Sequence, residues 1–275
     1  MHDIKLIRKD IEFYKKKFKE RNANINLNNL LDLDKQNREI IQKKEKLEQE
    51  KKNISQQKDK TQFSRSKEIS TEIDKLNDLH LSIKKEIENI ISSVPNIALD
   101  DVPIGKDESF NKEISQYGEI RNFEFKPLSH YELGNKLNMI DFDVASKTSG
   151  ARFVFLKDKI ALLERAISNF MLDYHTKEFN YQEISPPLIV DEKTMFGTGQ
   201  LPKFESDQFE IKLEEEKTRK FLIPTAEVIL TNLVRESLLN IKDLPMRMVA
   251  STACFRKEAG SYGKDTKGMI RQHQF

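Results

Sequence analysis

A seven-residue rhythm governs the first ninety residues. Leu33, Ile40, Leu47 and Ile54 recur at every seventh position. A second run places Ile69, Ile73, Leu76, His80, Ile83, Ile87, Ile90 and Val94 at alternating spacings of three and four. Each pattern gives a helix one narrow apolar seam, and a narrow seam is buried only against another helix. The alternate seam positions of the first run are Asn37, Lys44 and Lys51, so its seam is imperfect. The polar stretch "SQQKDKTQFSRS" separates the runs. An antiparallel helical hairpin is expected, reaching about 40 Å at about 1.5 Å per residue. It reads as an arm projecting from something else, with no centre of its own. His80 is read as a packed or partly solvated seam position, not a ligand.

Upstream, Ile4, Ile7, Ile11, Tyr14 and Phe18 form the stripe of one short helix, which the asparagines of "NANINLNNL" end. Downstream, Pro95 and Pro103 forbid helix continuation. These breaks divide the chain into residues 1–104, the arm, and 105–275. The charges divide similarly. Residues 1–100 hold 22 Lys and Arg against 18 Asp and Glu, an excess of +4 within a whole-chain net charge of +2. A polyanionic partner would therefore be sought on the arm, although a solvated coiled coil explains a mild excess as well. A single cysteine, Cys254, excludes an internal disulfide framework and reads as a buried strand thiol. The N-terminus lacks the apolar core of a signal peptide and no apolar run reaches membrane-spanning length, so no membrane partner and a cytoplasmic location are expected.

The second region mixes element types. "ARFVFLKDKIALLERAISNFMLDYHTKEFN" reads as a strand from Arg152 to Leu156 and then a helix with Ile160, Leu163, Ile167, Phe170 and Tyr174 on one face. "YQEISPPLIV" carries Pro186 and Pro187, which restricts it to an edge or irregular strand. Strands and helices without βαβ repetition point to an α+β fold with an antiparallel sheet.

Three constellations could carry chemistry. In "FRKEAGSYGKDTKGMIRQHQF" an alternating strand enters a loop rich in glycine and charge, and a return strand follows. Arg256, backed by a sheet, could bind phosphate or carboxylate through its planar fork. Glu258, two residues on, would share its side of an extended chain. The Gly260-Ser261-Tyr262-Gly263 turn and the charges beyond it could reach over a ligand. A charged hairpin with surface ion pairs is the plain alternative. In "IPTAEV", Thr225 could be a helix N-cap and Glu227 a first-turn acid; alternatively, a hydroxyl and a carboxylate at a strand end would bind an ammonium. "MFGTGQLPKF" matches neither a dinucleotide fingerprint nor a phosphate-binding P-loop and reads as a mobile loop that could serve as a lid.

These segments, in this order behind a two-helix arm, resemble bacterial-type seryl-tRNA synthetases along effectively the whole chain. "FRKEAGSYG…HQF" is similar to that family's form of class II motif 2, and "SGARFVFLKDKIALLERAISNFMLDYHTKEFNYQEISPPLIV" to its motif 1. The resemblance implies that Arg256 binds the ATP α-phosphate and the serine carboxylate, as the catalytic residue. It implies that Lys257 and Glu258 contact ATP, the latter at the adenine side, and that Phe275 stacks on adenine. Thr225, Ala226 and Glu227 would hold L-serine by its amino end. Arg271 and the loop lysines would touch ATP or the tRNA acceptor end. Mg2+ would accompany ATP, with no metal site on the protein. Motif 1 would form a homodimer interface, and the arm would lie along tRNA(Ser), reading shape and phosphates.

The family continues past the position of Phe275 into further sheet and motif 3, so the expectation is a truncated serine–tRNA ligase with an incomplete class II catalytic domain, inactive alone. A tRNA-binding short form without catalysis is the alternative. A purely structural coiled coil does not account for "PTAEV" and "FRKEAGSYG". Asp158, where the family usually carries glycine, is expected to change one turn only.

Overall fold

The computed structural model describes residues 2–57, 63–214, 217–259 and 267–275. It divides into two compact units, Met1–Glu119 and Ile120–Phe275, later in the chain than the 104/105 boundary read from the prolines.

The first unit opens with α1 (Ile4–Lys9) and α2 (Ile11–Glu20), where one helix was expected. The break is chemical. Asp10 sits at φ −145° and its carboxylate accepts the Phe13 N–H at 3.1 Å, so it caps the second helix and cannot also continue the first. The long helices α3 (Leu27–Gln57) and α4 (Phe63–Ser93) have 31 residues each, about 46 Å at about 1.5 Å per residue. They run antiparallel. Asn37 of α3 faces His80 of α4, Oδ1 to Nδ1 at 2.7 Å, while Glu50, further along α3, meets Arg65, near the start of α4, at 2.8 Å. The two polar seam residues thus satisfy each other.

The arm does have a centre. Ile7, Tyr14, Phe18, Leu27, Leu30, Leu33, Ile40, Ile83, Ile87 and Ile91 form one buried cluster at its base. Helices α1 and α2 supply the width that the narrow seams of α3 and α4 lack. Heptad spacing could not reveal this, because the covering side chains come from outside the repeat. Phe18, 2% exposed, is among the largest of them. Replacing it with alanine is expected to destabilise this unit by about 3–5 kcal/mol, read by urea titration of the helical circular dichroism signal. A loss below about 1 kcal/mol would mean that α2 is not part of the core.

The second unit contains α5 (His130–Lys136), β1 (Ile140–Asp141), α6 (Phe142–Thr148), β2 (Phe155–Leu156), α7 (Asp158–Phe179), β3 (Gln182–Glu183), β4 (Ile189–Asp191), α8 (Glu192–Gly197), β5 (Glu210–Ile211), β6 (Lys220–Leu222), α9 (Glu227–Asn232) and β7 (Met248–Val249). The fold is α+β. Strands β4, β6 and β5 make an antiparallel sheet in that order, with Val190 and Glu210 flanking Phe221. Strand β1 pairs antiparallel with β2, whereas β3 pairs parallel with β7. Val190, Met195, Leu201, Phe221, Ile223 and Val228 form the core behind the three-stranded sheet.

One local expectation changes. The strand expected from Arg152 shrinks to Phe155–Leu156, because Arg152 lies at φ +63° and turns the chain out of extended geometry. Asp158, at φ +50°, occupies the left-handed region that glycine enters without strain and that aspartate tolerates. Helix α7 buries none of its 22 residues: Leu163 is 56% and Phe170 66% exposed.

Candidate functional site

Strand β6 and the chain leading out of it meet the segment around Arg256. The Phe255 N–H donates to Ile223 O at 2.9 Å, and Arg256 Nε donates to Pro224 O at 3.2 Å. The return segment closes on the other edge. Cys254 and Phe275 exchange backbone hydrogen bonds of 2.7 and 3.0 Å, around an isolated antiparallel bridge between Phe255 and Gln274. The expected pair of strands is reduced to this single bridge. Cys254 is buried, as expected of a packed thiol.

Arg256 is therefore fixed at its root and open at its tip. Its Cζ lies 5.2 Å from the Phe275 ring centroid, a cation–π distance. Its two terminal nitrogens have no hydrogen-bond partner among the described residues. Phe275 is 54% exposed, so its ring offers a face as well. Thr225 follows Pro224 directly. The helix N-cap is Ala226, not Thr225, and it makes no side-chain capping bond. The Thr225 hydroxyl and the Glu227 carboxylate have no partner among the described residues. Sequence-predicted Arg256 and Phe275 thus come together, Arg256 is bonded to the carbonyl just before Thr225 and Ala226, and Glu227 is exposed as the first residue of α9.

Glu258 and Lys257 are placed differently. Glu258 does not share an extended face with Arg256, because its φ is +50° and the chain leaves strand geometry there. Its carboxylate accepts from Arg271 Nη1 at 2.8 Å, joining the two ends of the charged loop. The Lys257 ammonium lies 5.7 Å from the Phe209 ring, not beside Arg256. The Gly260-Ser261-Tyr262-Gly263 turn, Lys264 and Asp265 lie outside the described residues.

"MFGTGQLPKF" is anchored and is not a lid. Met195 is fully buried and Leu201 is 6% exposed, both inside the core, and the Gln200 N–H donates to Met195 O at 3.0 Å. Its loop-like composition concealed two core side chains. Helix α8 starts from Asp191, which accepts the Thr194 N–H at 2.7 Å; partial burial opposes ionisation, but the bonds from Thr194 outweigh it and hold the carboxyl below the usual range. Beside it, Arg219 bonds Glu210 and Glu205 and reaches Glu192 at 3.1 Å, which raises its already high pKa; its guanidinium also lies 5.0 Å from the Phe221 ring. This network ties the β5–β6 hairpin to α8 and engages all three Arg219 nitrogens with carboxylates.

Two residues with no sequence signal bind the backbone of the candidate site. Asp207 accepts the Lys257 N–H through its carbonyl at 2.8 Å and the Ala259 N–H through Oδ1 at 2.7 Å. Arg152 Nη1 donates to Glu258 O at 3.0 Å. Nearby, a cavity of about 750 Å³ opens between α7, the Phe153–Leu156 stretch, residues 251–253 and Phe275; none of Thr225, Glu227, Arg256 and Glu258 lines it.

Residues 1–98 match the family model described as the seryl-tRNA synthetase N-terminal domain, and residues 208–275 match the tRNA synthetase class II core domain (G, H, P, S and T). The serine–tRNA ligase of Pelagibacter ubique is 62% identical over 275 residues, all of this chain and 66% of the relative. That of Ehrlichia canis is 44% identical over 287 aligned positions, again covering all of this chain and 66% of the relative. The chain therefore spans about two-thirds of the length of these relatives. Among solved structures, seryl-tRNA synthetase from Pyrococcus horikoshii complexed with ATP aligns at a TM-score of 0.82 and 32% identity, covering 100% of this chain and 68% of that one. The cytoplasmic serine–tRNA ligase of Naegleria fowleri in complex with AMP aligns at 0.81 and 26%, covering 99% and 64%.

Proposed function

Since the chain belongs to the seryl-tRNA synthetase family, we propose that its second unit activates serine with ATP and that its helical arm holds the tRNA that receives the serine. The observation that carries the reading is Arg256: anchored through Nε to Pro224 O, over the Phe275 ring, with both terminal nitrogens available. A guanidinium so fixed is preorganised for a bidentate anion. In this reading a serine carboxylate oxygen attacks the ATP α-phosphorus and pyrophosphate leaves. Arg256 holds carboxylate and phosphate together and offsets the charge that builds between them. Phe275 gives the adenine a stacking face. Thr225 and Glu227 receive the serine ammonium at the end of β6, with Ala226 shaping the turn between them. A ribose hydroxyl of tRNA(Ser) then attacks the seryl carbonyl and AMP leaves.

Glu258 serves the adenine side, held in place by Arg271, and Lys257 adds positive potential at the ATP site. Mg2+ arrives on the ATP phosphates. The apolar face of α7, exposed along its whole length, is the surface through which two copies pair. No helix among the described residues is long and apolar enough to cross a membrane.

Serine-dependent ATP–pyrophosphate exchange tests the activation step in a chain extended with the remaining third of the Pelagibacter ubique relative. Exchange with serine and not with alanine is expected; none with serine overturns the reading. The arm is tested separately. Residues 1–104 are expected to bind tRNA weakly, with affinity falling steeply as salt rises because phosphate contacts release counterions. Titration of labelled tRNA at two salt concentrations reads this, and no binding at low salt removes tRNA from the arm.

A further inference from the structure

The backbone of Arg256 to Ala259 has left the sheet. The bridge between Phe255 and Gln274 is isolated, and Glu258 at φ +50° prevents a ladder from continuing. Peptide groups that lose strand partners must find others or be left to water. Here two distant segments supply them. Asp207 takes two N–H groups, that of Lys257 through its carbonyl and that of Ala259 through its carboxylate, at 2.8 and 2.7 Å. Arg152 takes two carbonyls, Glu258 O at 3.0 Å and Lys257 O at 3.4 Å. The carbonyl of Arg152 also accepts the His273 N–H at 2.9 Å, and His273 Nδ1 lies 3.0 Å from Arg256 O.

We propose that Arg152 and Asp207 are positioning residues: a cation on the Lys257 and Glu258 carbonyls, and the Asp207 carboxylate on the Ala259 N–H, hold the 256–259 stretch so that the Arg256 fork stays beside Phe275. The Asp207 carboxylate bond to Ala259 and the Arg152 bonds to the carbonyls each join a charged side chain to a backbone group, the stronger kind of hydrogen bond. Arg256 projects from this stretch, so a stretch free to slide would carry its guanidinium away from the Phe275 ring. Preorganisation of this kind favours binding by removing the cost of ordering the site when the ligand arrives. The inference rests on the reading of Arg256 and Phe275 as the nucleotide site.

The test compares the chain extended with the remaining third of the Pelagibacter ubique relative with its Asp207→Ala, Asp207→Asn and Arg152→Ala variants. It measures amide hydrogen exchange at Ala259 and the affinity for Mg·ATP. In Asp207→Ala, exchange at Ala259 should quicken about tenfold or more, and the Kd for Mg·ATP should rise about fivefold or more. Asp207→Asn, whose amide oxygen accepts the same bond, should stay within about twofold of the parent on both. Arg152→Ala should weaken Mg·ATP as Asp207→Ala does. Exchange within α3 and α4 should not change in any variant. Unchanged Mg·ATP affinity in Asp207→Ala and Arg152→Ala overturns the proposal, whatever the exchange does. Equal losses in Asp207→Ala and Asp207→Asn also overturn it. If the parent chain binds no Mg·ATP, the nucleotide reading fails, and Ala259 exchange alone decides whether Asp207 holds the stretch.

Discussion

Alanine at position 256 should lower serine-dependent ATP–pyrophosphate exchange by about a hundredfold or more in the extended chain. A preorganised contact to transition-state charge is typically worth about 3–4 kcal/mol, and each factor of ten in rate is about 1.4 kcal/mol. The structure supplies the preorganisation. Backbone bonds fix Phe255 to Ile223 and Arg256 to His273 at 2.9 Å each, and Nε is spent on Pro224 O. Only the outer nitrogens remain for a ligand, so the guanidinium needs no rearrangement when one arrives. Lysine at 256 should not restore the rate. An ammonium keeps the charge but cannot bond Pro224 O and grip an anion bidentately at once. Measurement at saturating serine and ATP separates this from weaker binding. Exchange by the alanine variant within about threefold of the parent would return Arg256 to an ordinary surface cation.

A polypeptide of residues 1–275 alone should give no serine-dependent exchange and should self-associate. The two expectations share a cause. Phe275 is 54% exposed and one wall of a cavity of about 750 Å³. Along α7, Leu162, Leu163, Ile167, Phe170, Met171 and Tyr174 are each between 45% and 66% exposed, with Phe170 and Tyr174 stacked at 5.9 Å. Apolar surface of that extent on a folded unit seeks a cover. The return segment that ends in Phe275 pairs with the Arg256 segment around one isolated bridge and forms no longer ladder with it. A nucleotide bound there would meet Phe275 on one side and water on the other. Sedimentation velocity should show oligomers that Leu163→Glu with Phe170→Glu disperses, while the helical signal of the arm persists. Serine-specific exchange by the 275-residue chain, or monomers at tens of micromolar, would refute the account.

Much of the arm was legible because helix periodicity is a local property. Heptad spacing needs only neighbours three and four residues away, and the antiparallel pairing of α3 with α4 follows from two narrow seams and a short link. The break at Asp10 was less visible, since apolar spacing continues across it and only the cap geometry reveals it. The base cluster was invisible for a different reason. Its members are separated by up to 84 positions, from Ile7 to Ile91, and no window along the chain contains both.

Around the candidate site the balance shifts. Residue types and order suffice to single out Arg256, Thr225 and Glu227, because a planar cation, a hydroxyl and a carboxylate have chemistry independent of fold; Phe275 entered only through the resemblance to the family. Their relative placement does not follow from type. Alternation predicted that Glu258 would stand beside Arg256, and one positive φ at Glu258 undid that, turning the carboxylate to Arg271 instead. Glycines in "MFGTGQLPKF" suggested a lid, while Met195 and Leu201 pin the segment to the core.

The sequence by itself determined the two-helix arm, the α+β character of the remainder and the side chains fit to handle an anion and an ammonium, since each is set by local spacing or by intrinsic chemistry. Only the tertiary structure decided that Arg256 is anchored on Pro224 and faces Phe275, and that Arg152 and Asp207 hold the backbone beneath it. Those contacts join residues 32, 19, 106 and 52 positions apart. They depend on backbone angles at single residues, which folding selects from the packing of the whole unit and which no residue encodes alone.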